Sequence, residues 1–310
     1  MTSQSYARSG GGTWCSEAMP EARVAPPDPD IVRRLVDAAL EEDAAQRDVT
    51  TRALVPPDQQ GEATIVAKSA GVVCGLPVAA AVFAALDSLL RFEPRLPEGA
   101  ALSPGDTLAA VAGPLAPILS GERIALNFLQ RLSGIASATR RLVDAVAGLD
   151  VRILDTRKTT PGLRALERYA VRIGGGQNHR FDLSDGVLIK DNHLAAARGR
   201  GLTIAQVIEQ ARADAPEGMP VEIEVTSVAE AREALAGDAD IVLLDNMPVE
   251  EMRTVVEAAR GRALIEASGG VTEENVRAIA ETGVDRCSAG AITHSAPALD
   301  ISMEMETAAS

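Results

Sequence analysis

Aromatic residues are scarce. The 310-residue chain has four Phe, two Tyr and one Trp, too few to build the stacking platforms on which unpaired bases lie. Positive charge is short as well: 30 basic residues against 44 acidic ones leave a net charge of −14, which repels polyphosphate backbones and excludes nucleic acid as a partner. The three cysteines, Cys15, Cys74 and Cys287, are odd in number and lack CxxC spacing, so neither a disulfide framework nor a thiolate zinc site is expected. No uncharged apolar run reaches the roughly 18 residues of a membrane span, and residues 1–27 lack a signal-like apolar core. The expected location is cytoplasmic, with no membrane partner.

Lysine is the most informative shortage, since only Lys68, Lys158 and Lys190 stand among the 30 basic residues. Where any solvated positive charge would serve, this chain uses Arg, so each Lys raises the question of whether a compact ammonium is needed there. Two of these lysines and two of the three histidines (His179 and His193, with His294 the third) fall between residues 158 and 193. Otherwise the composition is ordinary, 46% hydrophobic and 24% charged, which suffices for a large core. The length suggests about two domains, at roughly 150 residues each.

Residues 1–27, rich in Ser, Gly, Pro and Ala, read as a disordered leader. Asp30 is a plausible N-cap for a helix over 31–42. Alternation from Gly61 predicts a strand, followed by an alanine-rich helix over 77–90 and short strands near Phe92 and over 107–112. Residues 118–146 read as a long connecting helix that Gly121 and Gly134 should bend or break. After residue 150, short apolar runs at 151–154, 187–189, 221–225, 241–244, 264–265 and 284–287 alternate with helical stretches, the pattern of buried parallel strands with helical crossovers. The expected fold class is α/β. It comprises an N-terminal α/β sandwich domain over 28–137, an incomplete (β/α) barrel over 138–294, and a segment 295–310 returning to the first domain.

Barrel enzymes work at the C-terminal ends of their strands. There the chain places Asp155, Thr156, Arg157 and Lys158; Lys190 and Asp191; Glu222 and Glu224; Asp245 and Asn246; Glu266 and Ser268; and Ser288. Residues 155–194 hold seven Lys or Arg against five Asp or Glu, so this stretch should focus an anion. Arg157, His179, Arg180 and Lys190 are donors suited to carboxylates or phosphates, whereas Arg164, Arg168 and Arg172 have the helical spacing of a surface face. The turns at Ser268, Gly269 and Gly270 and at Ser288, Ala289 and Gly290 follow late strands, where backbone amides can meet a phosphate. Glu224 and Asp245 suit Mg²⁺ or ribose hydroxyls. Glu222 reads as structural, its side of the strand left open, and His294 as either a phosphate contact or packing.

The strings GERIALNFLQRLSGIA (121–136), DTRKTTPGLR (155–164), GGGQNHRFDLSDGVLIKDNH (174–193), EIEV (222–225), LLDNM (243–247), EASGG (266–270) and SAGAITHS (288–295) resemble the quinolinate phosphoribosyltransferase family. The likeness runs in order from about residue 28 to residue 303, and motifs this long and numerous are highly specific. It implies a type II phosphoribosyltransferase that converts quinolinate and phosphoribosyl pyrophosphate into nicotinate mononucleotide, pyrophosphate and CO₂ in NAD synthesis. It also implies a homodimer whose site is shared between protomers. On the quinolinate side it places Arg123, from the partner protomer, with Arg157, His179, Arg180 and Lys190. On the phosphoribosyl pyrophosphate side it places Thr156, Lys158, Glu224, Asp245, Ser268, Gly269, Gly270, Ser288, Ala289 and Gly290. Lys158, Lys190, Glu224 and Asp245 become the catalytic candidates. Mg²⁺ is the implied cofactor, held mainly by substrate phosphates and by Glu224 and Asp245.

Other readings fit parts of the same pattern. A sister phosphoribosyltransferase or a transport-linked paralogue would act on another aromatic acid, an aldolase-like barrel would use Lys190 as a Schiff-base amine, and a scaffold would keep the fold without chemistry. The number of cations meeting the substrate favours a dianion, because a monocarboxylate would leave some of them buried and unpaired.

Overall fold

The computed structural model describes residues 24–305; most of the expected leader, Cys15 and the last five residues lie outside that range. The elements run α1 (Pro29–Glu42), α2 (Val49–Leu54), β1 (Gln60–Ala67), β2 (Gly71–Val72), α3 (Leu76–Leu86), β3 (Arg91–Pro94), β4 (Ala101–Leu102) and β5 (Thr107–Pro114). Next come α4 (Leu115–Ala145), β6 (Arg152–Leu154), α5 (Arg164–Ile173), β7 (Val187–Ile189), α6 (Asp191–Arg198), α7 (Ile204–Asp214), β8 (Val221–Val225) and α8 (Val228–Ala236). The chain closes with β9 (Ile241–Asp245), α9 (Val249–Ala259), β10 (Leu264–Ser268), α10 (Val276–Ala280), β11 (Arg286–Ser288), α11 (Ala291–His294) and β12 (Ile301–Met305).

Two compact units result, and neither is contiguous in sequence. The first takes residues 24–141, 158–176 and 290–305, so stretches expected in the barrel cluster with the N-terminal sheet. Its antiparallel sheet has the order β12-β1-β5-β3, and β12 pairs along β1 from Ala67↔Ile301 to Ala63↔Met305. The alternation of β1 buries Ala63, Ile65 and Ala67 completely, as period-2 patterning requires. Lys68 ion-pairs with Glu304 of β12 at the surface, a structural use of that ammonium. Helix α1 starts earlier than expected: Asp28, not Asp30, is the N-cap, its Oδ1 accepting the Asp30 amide at 2.8 Å. Pro29 fits the first helical position because its missing N–H would have no intrahelical partner.

Helix α4 is unbroken over 31 residues, against the expectation at Gly121 and Gly134. Those glycines are sites of close approach. A Cβ at Gly121 would lie 2.7 Å from Leu86 Cδ1, and one at Gly134 would lie 2.0 Å from the Pro297 carbonyl oxygen. Packing against α3 and the returning tail outweighs the weak helix propensity of Gly. Ser133 and Ser137 on the same helix satisfy strand-end backbone, accepting the Cys74 and Val72 amides at 3.0 and 2.8 Å.

The second unit, residues 142–157 and 177–289, is built on a parallel six-stranded sheet of order β6-β11-β10-β9-β8-β7. Read as a ring, this order follows the chain and leaves one seam between β6 and β7; Leu154 of β6 bridges instead to Gln177, ahead of β7. The sheet is an incomplete α/β barrel. Its strands bury Ile153, Ile189, Val221, Ile223, Val242, Leu244, Ile265 and Cys287, each fully buried aliphatic side chain contributing about 1.5–3 kcal/mol.

Candidate active site

Register decides which side chains meet. Leu154, Ser288, Ser268 and Asp245 lie level across β6, β11, β10 and β9. Two residues back, and so on the same face, lie Arg286, Glu266 and Leu243, with Glu224 level on β8. Glu222 shares the face of Glu224. The face that a simple barrel would fill with aliphatic side chains therefore carries Glu222, Glu224, Asp245, Glu266, Ser268, Arg286 and Ser288. Glu222, Glu266, Arg286 and Ser288 are all buried.

His179 ties this polar face together. Its Nε2 lies 3.2 Å from Glu222 Oε2 and 3.4 Å from Glu266 Oε1, and Arg286 stands 4.0 Å from Glu266. Burial alone would lower the His179 pKa, but the hydrogen bond to Glu222 and the close carboxylates of Glu222 and Glu266 outweigh it and push it up to about 10. Burial and the neighbouring Glu266 push Glu222 up. Burial acts upward on Glu266 too, yet His179 and Arg286 hold it below the usual carboxylate range. One contact pulls the other way: the Arg180 amide donates to His179 Nδ1 at 2.8 Å, which suits a neutral ring. Charge balance favours the imidazolium, because the ring stands against two buried carboxylates at 3.2 and 3.4 Å. Sequence reasoning missed Arg286 and the pairing of Glu222 with Glu266; ionisable residues two apart inside apolar strand runs were the available signal.

The loop entering this site is fixed by Asp155, fully buried, whose carboxylate accepts Asn178 Nδ2 at 2.6 Å and the His179 amide at 2.7 Å. Thr156 and Arg157 follow it, half-buried. Arg157 Nε is buried with no hydrogen-bond partner. Arg180 donates to the Gly186 carbonyl at 3.1 Å; burial and then the Arg157 charge lower its pKa, with Glu222 opposing. Two guanidiniums that repel each other, one with an orphaned donor, form a place where an anion relieves a cost. Lys190 donates to Glu224 Oε2 at 3.0 Å, an ion pair that occupies the nitrogen a Schiff base would use. His193 is structural, its Nδ1 accepting the Lys190 amide at 2.9 Å.

The phosphate-side turns are built unequally. Gly269 and Gly270 have φ of +84° and +61°, conformations that suit Gly, and a Cβ at Gly269 would lie 2.3 Å from Asn246 Oδ1. Asn246 in turn donates to Asp245 Oδ2 at 2.9 Å. At the other turn the Ala289 amide donates to the Leu154 carbonyl at 3.0 Å, which ties that turn to the end of β6. In the first unit, Lys158 is exposed, and a Cβ at Gly290 would lie 3.0 Å from Lys158 Cδ and 3.2 Å from the His294 ring. His294 is exposed beside it, with Ser295 Oγ 2.6 Å from its Nδ1. Arg123 is exposed on α4. Arg168, expected at the surface, is buried on α5; Arg172 of that helix lies over Tyr169 at 5.9 Å and is only half-exposed.

Models of the N-terminal and C-terminal domains of quinolinate phosphoribosyl transferase match residues 48–133 and 135–304. The chain belongs to this family. It is 43% identical over 269 residues to a probable nicotinate-nucleotide pyrophosphorylase [carboxylating] of Synechocystis, covering 86% of this chain and 90% of that one. Its counterpart in Bacillus subtilis is 41% identical, with 88% and 93% covered. The crystal structure of NadC from Streptococcus pyogenes superposes with a TM-score of 0.86 at 41% identity, covering 90% of this chain and 98% of that one. The fold and the order of the motifs thus agree with the family across both units.

For a divalent metal, two carboxylate sets compete. Among the described residues, His179, Glu222 and Glu266 bring ligand atoms within 4.8 Å of one another. That set already holds its own countercharges in His179 and Arg286 and is largely buried, whereas Mg²⁺ keeps several waters. Glu224 and Asp245 are hard oxygen donors, half-exposed at the strand ends, and fit a hydrated Mg²⁺ better.

Proposed function

We propose that the chain is a decarboxylating quinolinate phosphoribosyltransferase: quinolinate and phosphoribosyl pyrophosphate give nicotinate mononucleotide, pyrophosphate and CO₂ in NAD synthesis. The observation that carries this reading is the Arg157–Arg180 pair beside His179, with the buried, partnerless Arg157 Nε. Three cationic groups and Lys190 suit two ring carboxylates rather than one. The pyridine nitrogen attacks C1 of the ribose, the C1–oxygen bond to pyrophosphate breaks, and Lys158 takes up the charge of the leaving group. A Mg²⁺ ion would be held by Glu224 and Asp245 together with the substrate phosphates and would supply further neutralisation of the leaving group. Glu224 and Asp245 also face the ribose as positive charge develops at C1.

The electron pair left when the C2 carboxylate departs as CO₂ stays on C2, stabilised by the positive charge of the adjacent alkylated nitrogen, and C2 then takes a proton. Lys190 serves both the quinolinate and Glu224, so substrate binding exchanges one carboxylate partner for another. We place the reaction in a homodimer to which the exposed Arg123 contributes across the interface. The cytoplasm is the proposed location; no helix of the described residues is long and apolar enough to cross a membrane, and Cys74 and Cys287 are free and buried.

The test is a mass-spectrometric assay of the purified chain with Mg²⁺, phosphoribosyl pyrophosphate and either quinolinate or nicotinate. Nicotinate mononucleotide and CO₂ from quinolinate, with nicotinate inert, is the expected result. Turnover of nicotinate alone would overturn the substrate assignment.

A further inference from the structure

A buried polar network in the first unit involves none of the groups assigned to substrate above, yet it ends on one of them. Glu167 on α5 is fully buried, and its Oε1 accepts Arg131 Nε and Nη2 from α4 at 3.1 and 2.7 Å. The other oxygen of Glu167 accepts the Thr160 amide at 3.1 Å. Arg131 continues to Thr160 Oγ1 at 3.3 Å, to the Ala296 carbonyl at 3.1 Å and to the Thr293 carbonyl. Thr293, also fully buried, sends its hydroxyl to the Lys158 carbonyl at 2.8 Å and to its own helix at Gly290, 3.1 Å.

The effect on Lys158 is specific. Its carbonyl is held by Thr293 and the amide two residues on is held by Glu167, so the backbone just after it is fixed at two points while its side chain is exposed. The side chain leaves this clamp over Gly290, whose missing Cβ gives Lys158 Cδ its room. The Arg131–Glu167 ion pair, with its carboxylate fully buried and its guanidinium partly exposed, is a poor source of net stability, since desolvation of Glu167 offsets much of the attraction. It is an effective way to fix geometry, because every donor and acceptor around it accepts only one arrangement.

We propose that Thr293, Arg131 and Glu167 are positioning residues that set the Lys158 ammonium toward the pyrophosphate group, acting through the backbone of residues 158–160. The inference rests on the proposed function, in which Lys158 meets the leaving group. It goes beyond that reading by making the KM for one substrate, and not for the other, depend on three residues that touch neither.

The experiment is steady-state kinetics on the full chain, varying phosphoribosyl pyrophosphate and quinolinate separately, with Lys158→Ala, Thr293→Val, Thr293→Ser and Glu167→Gln. Thr293→Val keeps the volume and removes the hydroxyl. It is expected to lower kcat/KM for phosphoribosyl pyrophosphate about tenfold, the effect of one lost hydrogen bond to a buried carbonyl. KM for quinolinate should stay within about twofold. Thr293→Ser should restore most of the loss, and Glu167→Gln, independent of Thr293 packing, should show the same split between the substrates. If Thr293→Val and Glu167→Gln keep wild-type kcat/KM for phosphoribosyl pyrophosphate while Lys158→Ala is inactive, the positioning role is refuted and the functional reading stands. An equal fall for both substrates with a lowered Tm would reduce the network to a structural role. A fully active Lys158→Ala would overturn both.

Discussion

Replacing Glu266 by Gln removes one of the two buried carboxylates facing His179 and preserves the volume of the side chain. The structure raises the His179 pKa from 6.5 to about 10, which at 1.36 kcal/mol per pH unit is about 5 kcal/mol of preference for the charged ring. Because the ring is only 11% exposed, solvent screens little of this. The sign follows from linkage. A raised pKa contributes stability that is fully present below 6.5 and lost as the pH rises through about 10. Between pH 6.5 and a pH of about 9.5, wild type should therefore lose about 3 kcal/mol of stability from this group.

With Glu222 as the sole carboxylate facing the ring, the variant should lose roughly half that amount, and over a lower pH range. Urea unfolding of both proteins across this range gives the difference, and nitrogen chemical shifts of the His179 ring report its protonation directly. A ring that titrates near 6.5 in wild type, or that remains neutral with Nδ1 accepting the Arg180 amide at pH 7, would refute the charge-balance argument. Parallel stability curves for the two proteins would do the same.

Gly269→Ala places a side chain at φ +84° and 2.3 Å from Asn246 Oδ1; the left-handed backbone costs about 1 kcal/mol, and Asn246 must release Asp245. Chemical denaturation and the KM for phosphoribosyl pyrophosphate should both register the change; unaltered kinetics would remove this turn from the site. Lys190→Ala should lower quinolinate turnover at least about a hundredfold with an unchanged circular dichroism spectrum, and near-normal turnover would remove Lys190 from the chemistry. Mixed with an inactive Arg123→Ala chain, the same Lys190→Ala chain should regain part of the activity in exchanged dimers. No recovery after demonstrated subunit exchange would count against a shared site.

The amino-acid sequence by itself determined the secondary-structure rhythm and the motifs. Continuous apolar runs placed the six parallel strands within a few residues, and their ends carried Lys190, Glu224, Asp245, Ser268 and Ser288, because strand period and turn chemistry are local properties. Only the tertiary structure decided what those residues face. Glu222, Glu266 and Arg286 became one charge-balanced group with His179 through the register of β8, β10 and β11, and no local periodicity encodes register between strands separated by whole helices. Arg168 was expected in solvent and is buried; Gly121 and Gly134 were expected to break α4 and instead admit Leu86 and Pro297. In each case a local preference worth about 1 kcal/mol yielded to packing worth several, and packing is set by residues distant in the chain.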